Sequence, residues 1–239
     1  MKMFGPAREE AAASKAKVIF SRTPTRYREL MDCCQVEGLR RVFRGRPVQQ
    51  EVRAFTRNGL NSRQAAFVAA LGEVEGASVL DIGGGIGALA LSLLARGGRE
   101  AQLVEVSPSY LRAAQTLATE RGVAEKLNLL EGDFVTLSGV EPADIVTLDR
   151  VVCCYPDAAA LLGKAARMSR RWLLFSYPYP SWPVRIFRRG LNGVMTVLGW
   201  SYRFYLHDEA HLLTAARQTG HQLVARQKLG VWRLVVLEL

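Results

Sequence analysis

From residue 77 onward, short apolar runs alternate with turns and helix-period segments, the pattern of β-α repeats around a parallel sheet. Ser78-Val79-Leu80-Asp81-Ile82 reads as the first strand. The turn Gly83-Gly84-Gly85-Ile86-Gly87 follows, then an Ala/Leu helix over residues 88–96 that Gly97-Gly98 stops. A second strand falls at residues 101–106, with Ser107 as N-cap and Pro108 at the first position of a helix running to residue 121. Residues 127–130, 143–149 and 171–176 read as the third to fifth strands, with a helix between Pro156-Asp157 and residue 168. Residues 208–219 form a helix closed by Gly220. Two apolar, β-branched runs, 222–228 and 231–239, are separated only by Leu229-Gly230, which forces an antiparallel pair.

The flanks of this unit are built differently. Residues 1–75 read as mostly helical, broken at Arg22-Thr23-Pro24 and Arg46-Pro47, with residues 1–13 expected to be disordered. Arg57-Asn58-Gly59 reads as a turn, and Asn61-Ser62-Arg63-Gln64 opens the helix that precedes the first strand. After the fifth strand comes an insertion, residues 177–204, opened by prolines and aromatics. Its residues 184–198 have an amphipathic helical period with Arg185, Arg188 and Arg189 on the polar side. The predicted class is α/β: a doubly wound, seven-stranded, mostly parallel sheet with a C-terminal antiparallel hairpin, plus the helical N-terminal extension and the insertion after strand five.

Composition sharpens this division. The 239 residues are 49% hydrophobic, enough for one domain with embellishments or at most two small ones. The formal net charge of +10 divides into +6 over residues 1–75, −1 over residues 76–176 and +5 over residues 177–239. The basic excess therefore belongs to the flanks. Four Cys occur as adjacent pairs, Cys33-Cys34 and Cys153-Cys154, a usage expected of reduced thiols and not of a disulfide framework. Without an apolar run of about 18 residues or a signal-peptide core near Met1, the expected location is cytoplasmic.

The glycine loop lies between a strand end and a helix N-terminus, where backbone can approach a ligand closely. Gly83, Gly85 and Ala88 also fit the G-x-G-x-x-A dinucleotide fingerprint, which leaves an NAD(P)-dependent Rossmann oxidoreductase as an alternative. Asp81, two residues before Gly83, would repel a pyrophosphate and suits an ammonium or sulfonium ligand. Glu105, ending the second strand, is placed to accept hydrogen bonds from both hydroxyls of a ribose.

At these residues the chain resembles the class I S-adenosylmethionine-dependent methyltransferases, over roughly residues 76–239. VLDIGGGIG is similar to their D-x-G-x-G motif, with Asp81, Gly83, Gly85 and Gly87 in place, and LVEVSPSYL to their second motif, with Glu105 as the ribose ligand. EGDF, with Asp133 and Phe134, resembles the segment against the adenine ring, and ADIVTLDRVVCCYPD, with Asp149, the motif bordering cofactor and acceptor. The resemblance implies S-adenosyl-L-methionine as cofactor, and lids built from the N-terminal extension and the insertion. The terminal hairpin is similar to the family's reversed seventh strand.

Acceptor chemistry is expected beyond the fourth and fifth strands. Asp149 and Tyr155 are the candidate catalytic residues, with Asp149 or a histidine as base; Arg150, Tyr177 and His207 are candidate substrate contacts, Arg150 either holding an acidic acceptor or pairing with Asp149. A surface turn of Asp149-Arg150 and plain aromatic packing remain open for these positions. Leu148-Asp149-Arg150-Val151 lacks the Asn/Asp-Pro-Pro-aromatic tetrad of amino-group enzymes, and no Pro-Cys occurs. What remains is O-, N- or C-methylation of a small molecule, lipophilic or acidic, with peripheral contact to an anionic membrane as a further partner. Scattered arginines without an RNA-binding module argue against nucleic acid, though an RNA-associated or non-catalytic member of the fold stays in view. His207 and His211 have zinc-site spacing, yet Asp208 between them suits an N-cap and no third ligand is evident, so no metal is expected.

Overall fold

The computed structural model describes Ile19–Phe20 and residues 33–239. The strands expected from sequence are all present: β2 (Ser78–Ile82), β3 (Glu100–Glu105), β4 (Leu127–Glu131), β5 (Ala143–Leu148), β6 (Ser169–Pro178), β7 (Gln222–Leu229) and β8 (Trp232–Glu238). An unanticipated two-residue strand, β1 (Ile19–Phe20), pairs in parallel with β4 at the sheet edge. The order is β1-β4-β3-β2-β5-β6-β8-β7, and only β8 runs against its neighbours. Strand order reverses between β2 and β5, which opens a crevice at their carboxyl ends.

Alternation along each strand feeds two cores. Val79, Leu103, Ile145 and Leu174 face α3 (Ser62–Ala70), α4 (Ala88–Ala95) and α5 (Pro108–Glu120). Leu80, Val104, Val146 and Leu173 face α6 (Ala158–Met168) and α8 (Glu209–Ala216). Both faces are apolar, which is why these strands read as near-continuous hydrophobic runs. Asn61 closes a capping box with Gln64 at the start of α3, and Asp157 and Asp208 cap α6 and α8.

Three local expectations change. Pro47 does not break a helix but sits in the first turn of α2 (Arg46–Asn58), where a missing N–H costs nothing; the break falls at residues 43–45, after α1 (Cys33–Val42). Arg57 and Asn58 complete α2, and Gly59 stops it. Ser107 stands at the N-cap of α5, yet its hydroxyl donates to the Phe43 carbonyl at 2.6 Å and caps nothing. Residues 1–13, Arg22-Thr23-Pro24 and the side chains of Cys33 and Cys34 lie outside the described residues.

The insertion forms α7 (Trp182–Val197), the amphipathic helix read from the sequence. Its return segment meets α1 closely: a Cβ on Gly38 would lie 2.6 Å from the Tyr202 nitrogen. Phe43 packs edge-on against Tyr202 at 6.1 Å and tilts against Tyr110 of α5 at 6.2 Å. Among the described residues, no helix is long and apolar enough to cross a membrane.

Candidate functional site

A cavity of about 810 Å³ occupies the crevice at the strand ends, walled by the glycine loop, the ends of β3 to β6, α1, α2 and α7. The loop owes its path to three left-handed glycines, Gly83 (φ 62°), Gly85 (φ 59°) and Gly87 (φ 74°), a conformation that costs a side-chain-bearing residue about 1–2 kcal/mol. Space is also tight: a Cβ on Gly83 would lie 2.6 Å from Val151, and one on Gly84 2.2 Å from the Asp81 carboxylate. The loop thus lies pressed over Asp81, with backbone turned to the cavity.

Asp81 is wholly buried. Its Oδ1 accepts the Thr147 hydroxyl at 2.8 Å, while Oδ2 has no hydrogen-bond partner. Burial, with the Asp149 and Glu105 charges adding to it, pushes the carboxyl up to about 7. Glu105 accepts the Gly85 N–H at 3.1 Å and the Ser107 N–H at 2.9 Å, one on each oxygen. Burial raises its carboxyl to about 7 against those hydrogen bonds. Each oxygen keeps a lone pair for a further donor. An orphaned buried carboxylate oxygen, a glycine loop without Cβ atoms and a half-satisfied glutamate fit a ligand that carries a ribose and a positive charge.

Beyond Glu105, Asp133 bends its carboxylate onto its own loop, accepting the Val135 N–H at 3.1 Å, and takes the Tyr155 hydroxyl at 3.1 Å. Lys164 of α6 clamps this turn through the carbonyls of Phe134, Val135 and Leu137, at 2.6, 3.2 and 2.8 Å. Phe134 is buried beneath that ammonium. Burial and the Asp133 charge push the Tyr155 phenol far up, so it serves as a hydrogen-bond donor.

On the other side, Asp149 is gripped by Arg63 of α3, with Nε to Oδ1 at 2.6 Å and Nη2 to Oδ2 at 2.9 Å; the Ser176 hydroxyl adds a contact at 2.8 Å. Arg150 does not pair with Asp149. It adopts φ 64°, the one positive φ outside glycine among the described residues, and donates its N–H to Ser176 Oγ at 2.9 Å. Its guanidinium stands 5.6 Å from the Trp232 ring centroid, and that of Arg63 5.5 Å. Val184, Phe187, Leu191 and Met195 of α7 complete an apolar wall.

Three candidates lie elsewhere: Gly87, where a Cβ would face the core side chains of Leu103, Ala114 and Leu91, together with Tyr177 and His207. Tyr177 points to the opposite face of β6, buried against Phe175 at 6.1 Å and beside the Glu209–Arg233 pair, and does not line the cavity. His207 also lies off the cavity, its Nε2 2.9 Å from the Tyr155 carbonyl and its ring stacked on Tyr205. All three histidines of the chain are absent from the cavity wall. Arg63, Ser176 and Trp232 were not anticipated, since nothing local marks them; only folding brings them to Asp149 and Arg150. No group of His, Cys, Asp and Glu suited to a metal occurs among the described residues.

This strand order, with one reversed strand and a glycine loop facing the Glu105 carboxylate, defines the class I S-adenosylmethionine-dependent methyltransferase fold. Similar solved structures include a magnesium protoporphyrin IX methyltransferase from Synechocystis with bound S-adenosylhomocysteine (20% identity, covering 90% of this chain and 98% of that one, TM-score 0.61). Others are an O-methyltransferase family 2 protein from Planctomyces limnophilus in complex with apigenin (17%, 80% and 61%, TM-score 0.61) and an S-adenosylmethionine-dependent methyltransferase from Mesorhizobium loti (15%, 73% and 96%, TM-score 0.59). No curated protein matches the chain by sequence. Residues 79–171 match the family model of the methyltransferase domain, within a chain whose strand order is that of the class I methyltransferase fold.

Proposed function

We propose that the chain transfers a methyl group from S-adenosylmethionine to a small, lipophilic acceptor that carries an acidic group. Glu105 would accept the ribose hydroxyls, the Asp133-Phe134 turn would lie against the adenine, and Gly83 and Gly85 would admit the cofactor to backbone contact, while Gly87 turns the chain into α4. Asp81, behind the loop, and Asp149 would supply negative charge toward a cationic ligand. When bound, the cofactor supplies an electrophilic methyl group on a sulfonium. The protein's part is to orient the acceptor, exclude water and handle any proton.

The observation that carries the acidic acceptor is Arg150, a cation exposed in an apolar chamber, stacked beside Trp232 and with no carboxylate partner among the described residues. Asp149 and Tyr155 are poorly placed for proton abstraction. Asp149 commits three of roughly four acceptor positions to Arg63 and Ser176, and Tyr155 donates to Asp133. An acceptor that arrives already ionised, such as a carboxylate, needs no base. The basic extension (residues 1–75) and the insertion (residues 177–204) would cover it as lids on a cytoplasmic enzyme.

Incubation with methyl-labelled cofactor and a fractionated lipid and metabolite extract tests this. Label is expected in an acidic, lipophilic fraction and, for a carboxylate, is released as methanol by alkali. Label in no fraction, together with steeply salt-dependent RNA binding, would instead support the RNA-associated reading.

A further inference from the structure

The insertion helix α7 is apolar on two sides. One side, with Val184, Leu191 and Met195, closes the cavity. The other carries Trp182, Ile186, Val194 and Val197, which are 74%, 57%, 54% and 87% exposed. At 100° per residue these four fall within one stripe on the outer side, and Phe187 at its edge both lines the cavity and is 58% exposed. Arg185 and Arg189 lie along one edge of that stripe, and no Asp or Glu occurs in residues 177–206, which hold four arginines. An apolar stripe whose charged neighbours along the helix are all cations suits an anionic lipid surface, where tryptophan rings settle at the headgroup level and arginines meet lipid phosphates. It suits a water-facing helix poorly.

We propose that the outer face of α7 docks on an anionic membrane and that the cavity mouth beside Phe187 takes its acceptor from the lipid phase. This rests on the reading of the acceptor as lipophilic. A 16-residue helix is about 24 Å long and lies in the interface plane without spanning. Lying there, α7 would set the Arg150–Trp232 chamber directly behind the docking face, so that an amphipathic acid could move its apolar body inward past Val184 and Leu191.

Sedimentation with phosphatidylcholine vesicles, with and without phosphatidylglycerol, tests the proposal on the full chain. The protein is expected to partition onto the anionic vesicles at least about tenfold more strongly than onto the neutral ones, and to come off as salt rises. Trp182→Ser/Ile186→Ser/Val197→Ser should lower that partitioning by about tenfold or more, and Arg185→Glu/Arg189→Glu should remove the preference for phosphatidylglycerol. Thermal stabilisation by S-adenosylhomocysteine, unchanged in both variants, shows that they remain folded and that the cofactor site stands apart from docking. No partitioning by the wild-type chain, or equal partitioning by the triple serine variant, would overturn the proposal. So would a dimer in sedimentation velocity that the serine substitutions dissociate, since the face would then belong to a second copy. Vesicle binding without methylation of any lipophilic acid leaves docking in place and overturns the acceptor reading instead.

Discussion

Arg63 of α3 holds Asp149 at the end of β5 through two parallel contacts, Nε to Oδ1 and Nη2 to Oδ2, across 86 positions of sequence. The pair ties the helix preceding the first core strand to a strand end that lines the cavity. Both side chains are mostly buried, 15% exposed for Arg63 and 8% for Asp149. The fork fixes the carboxylate plane, and Ser176 secures the same oxygen from β6.

Arg63→Ala should destabilise the fold by about 2–3 kcal/mol, somewhat less than the ~3–5 kcal/mol of a fully buried pair, because it strands the Asp149 charge. Arg63→Ala/Asp149→Asn should recover more than half of that loss. Urea unfolding of both variants measures it; an undiminished loss in the double variant would mean that packing of Arg63 on Trp232, and not charge, sets the cost.

Glu105→Gln should weaken S-adenosylhomocysteine binding by about tenfold to a hundredfold, the loss expected for charge-assisted hydrogen bonds to two hydroxyls. Titration calorimetry gives the affinity directly, and equal affinities would remove Glu105 from the ribose site.

The pH dependence has a defined sign. Asp81 is raised from 3.8, and Glu105 from 4.5, to about 7. The folded chain therefore holds protons that the unfolded chain has released. Their contribution to stability is full below the ordinary carboxylate range and is lost as pH rises through about 7. The stability advantage of wild type over Asp81→Asn should thus shrink between about pH 5 and pH 8. A ligand carrying an ammonium favours the ionised carboxylates, so S-adenosylhomocysteine should bind more tightly with rising pH over that range and release protons. Calorimetry in buffers of different ionisation enthalpy counts them.

Arg150→Gly separates the cation from its backbone. Glycine accepts φ 64° without the roughly 1 kcal/mol strain of a side chain, so stability should hold or rise slightly. For an acidic acceptor KM should increase about tenfold while kcat changes little, because a removed ion pair held the ground state and the transition state alike. Retained KM would place Arg150 outside acceptor recognition.

Gly84→Ala should lower the melting temperature and the affinity for S-adenosylhomocysteine together. Its Cβ would stand 2.2 Å from Asp81 Oδ2 and 2.6 Å from Leu103, so loop and carboxylate cannot both keep their places.

Local pattern carried the core of the fold. The strands at 78–82 and 143–148 announce themselves by apolar runs and glycine-rich or capped exits, since backbone conformation and two-sided burial act on neighbouring residues. Asp81, Glu105, Asp133 and Phe134 were legible for the same reason, as each stands at or just beyond a strand end and the switch point gathers strand ends at the cavity. Beyond the strand ends, sequence was a weaker guide. Tyr177 lies one residue from Ser176 on β6, and pleat alone sends Ser176 to Asp149 and Tyr177 into the opposite core.

The amino-acid sequence thus determined the α/β class, the glycine loop and the strand-end residues that line the cavity, because short-range backbone preference and hydrophobic period specify them. Only tertiary structure decided that Arg63 and not Arg150 takes Asp149, that His207 spends a ring nitrogen on a carbonyl, and that Trp232 stands beside both arginines. Those outcomes depend on which distant side chains compete for the same space and charge, and no local pattern encodes that competition. Part of the basic excess of the flanks acquired a position in the same way, as Arg185 and Arg189 along one side of α7.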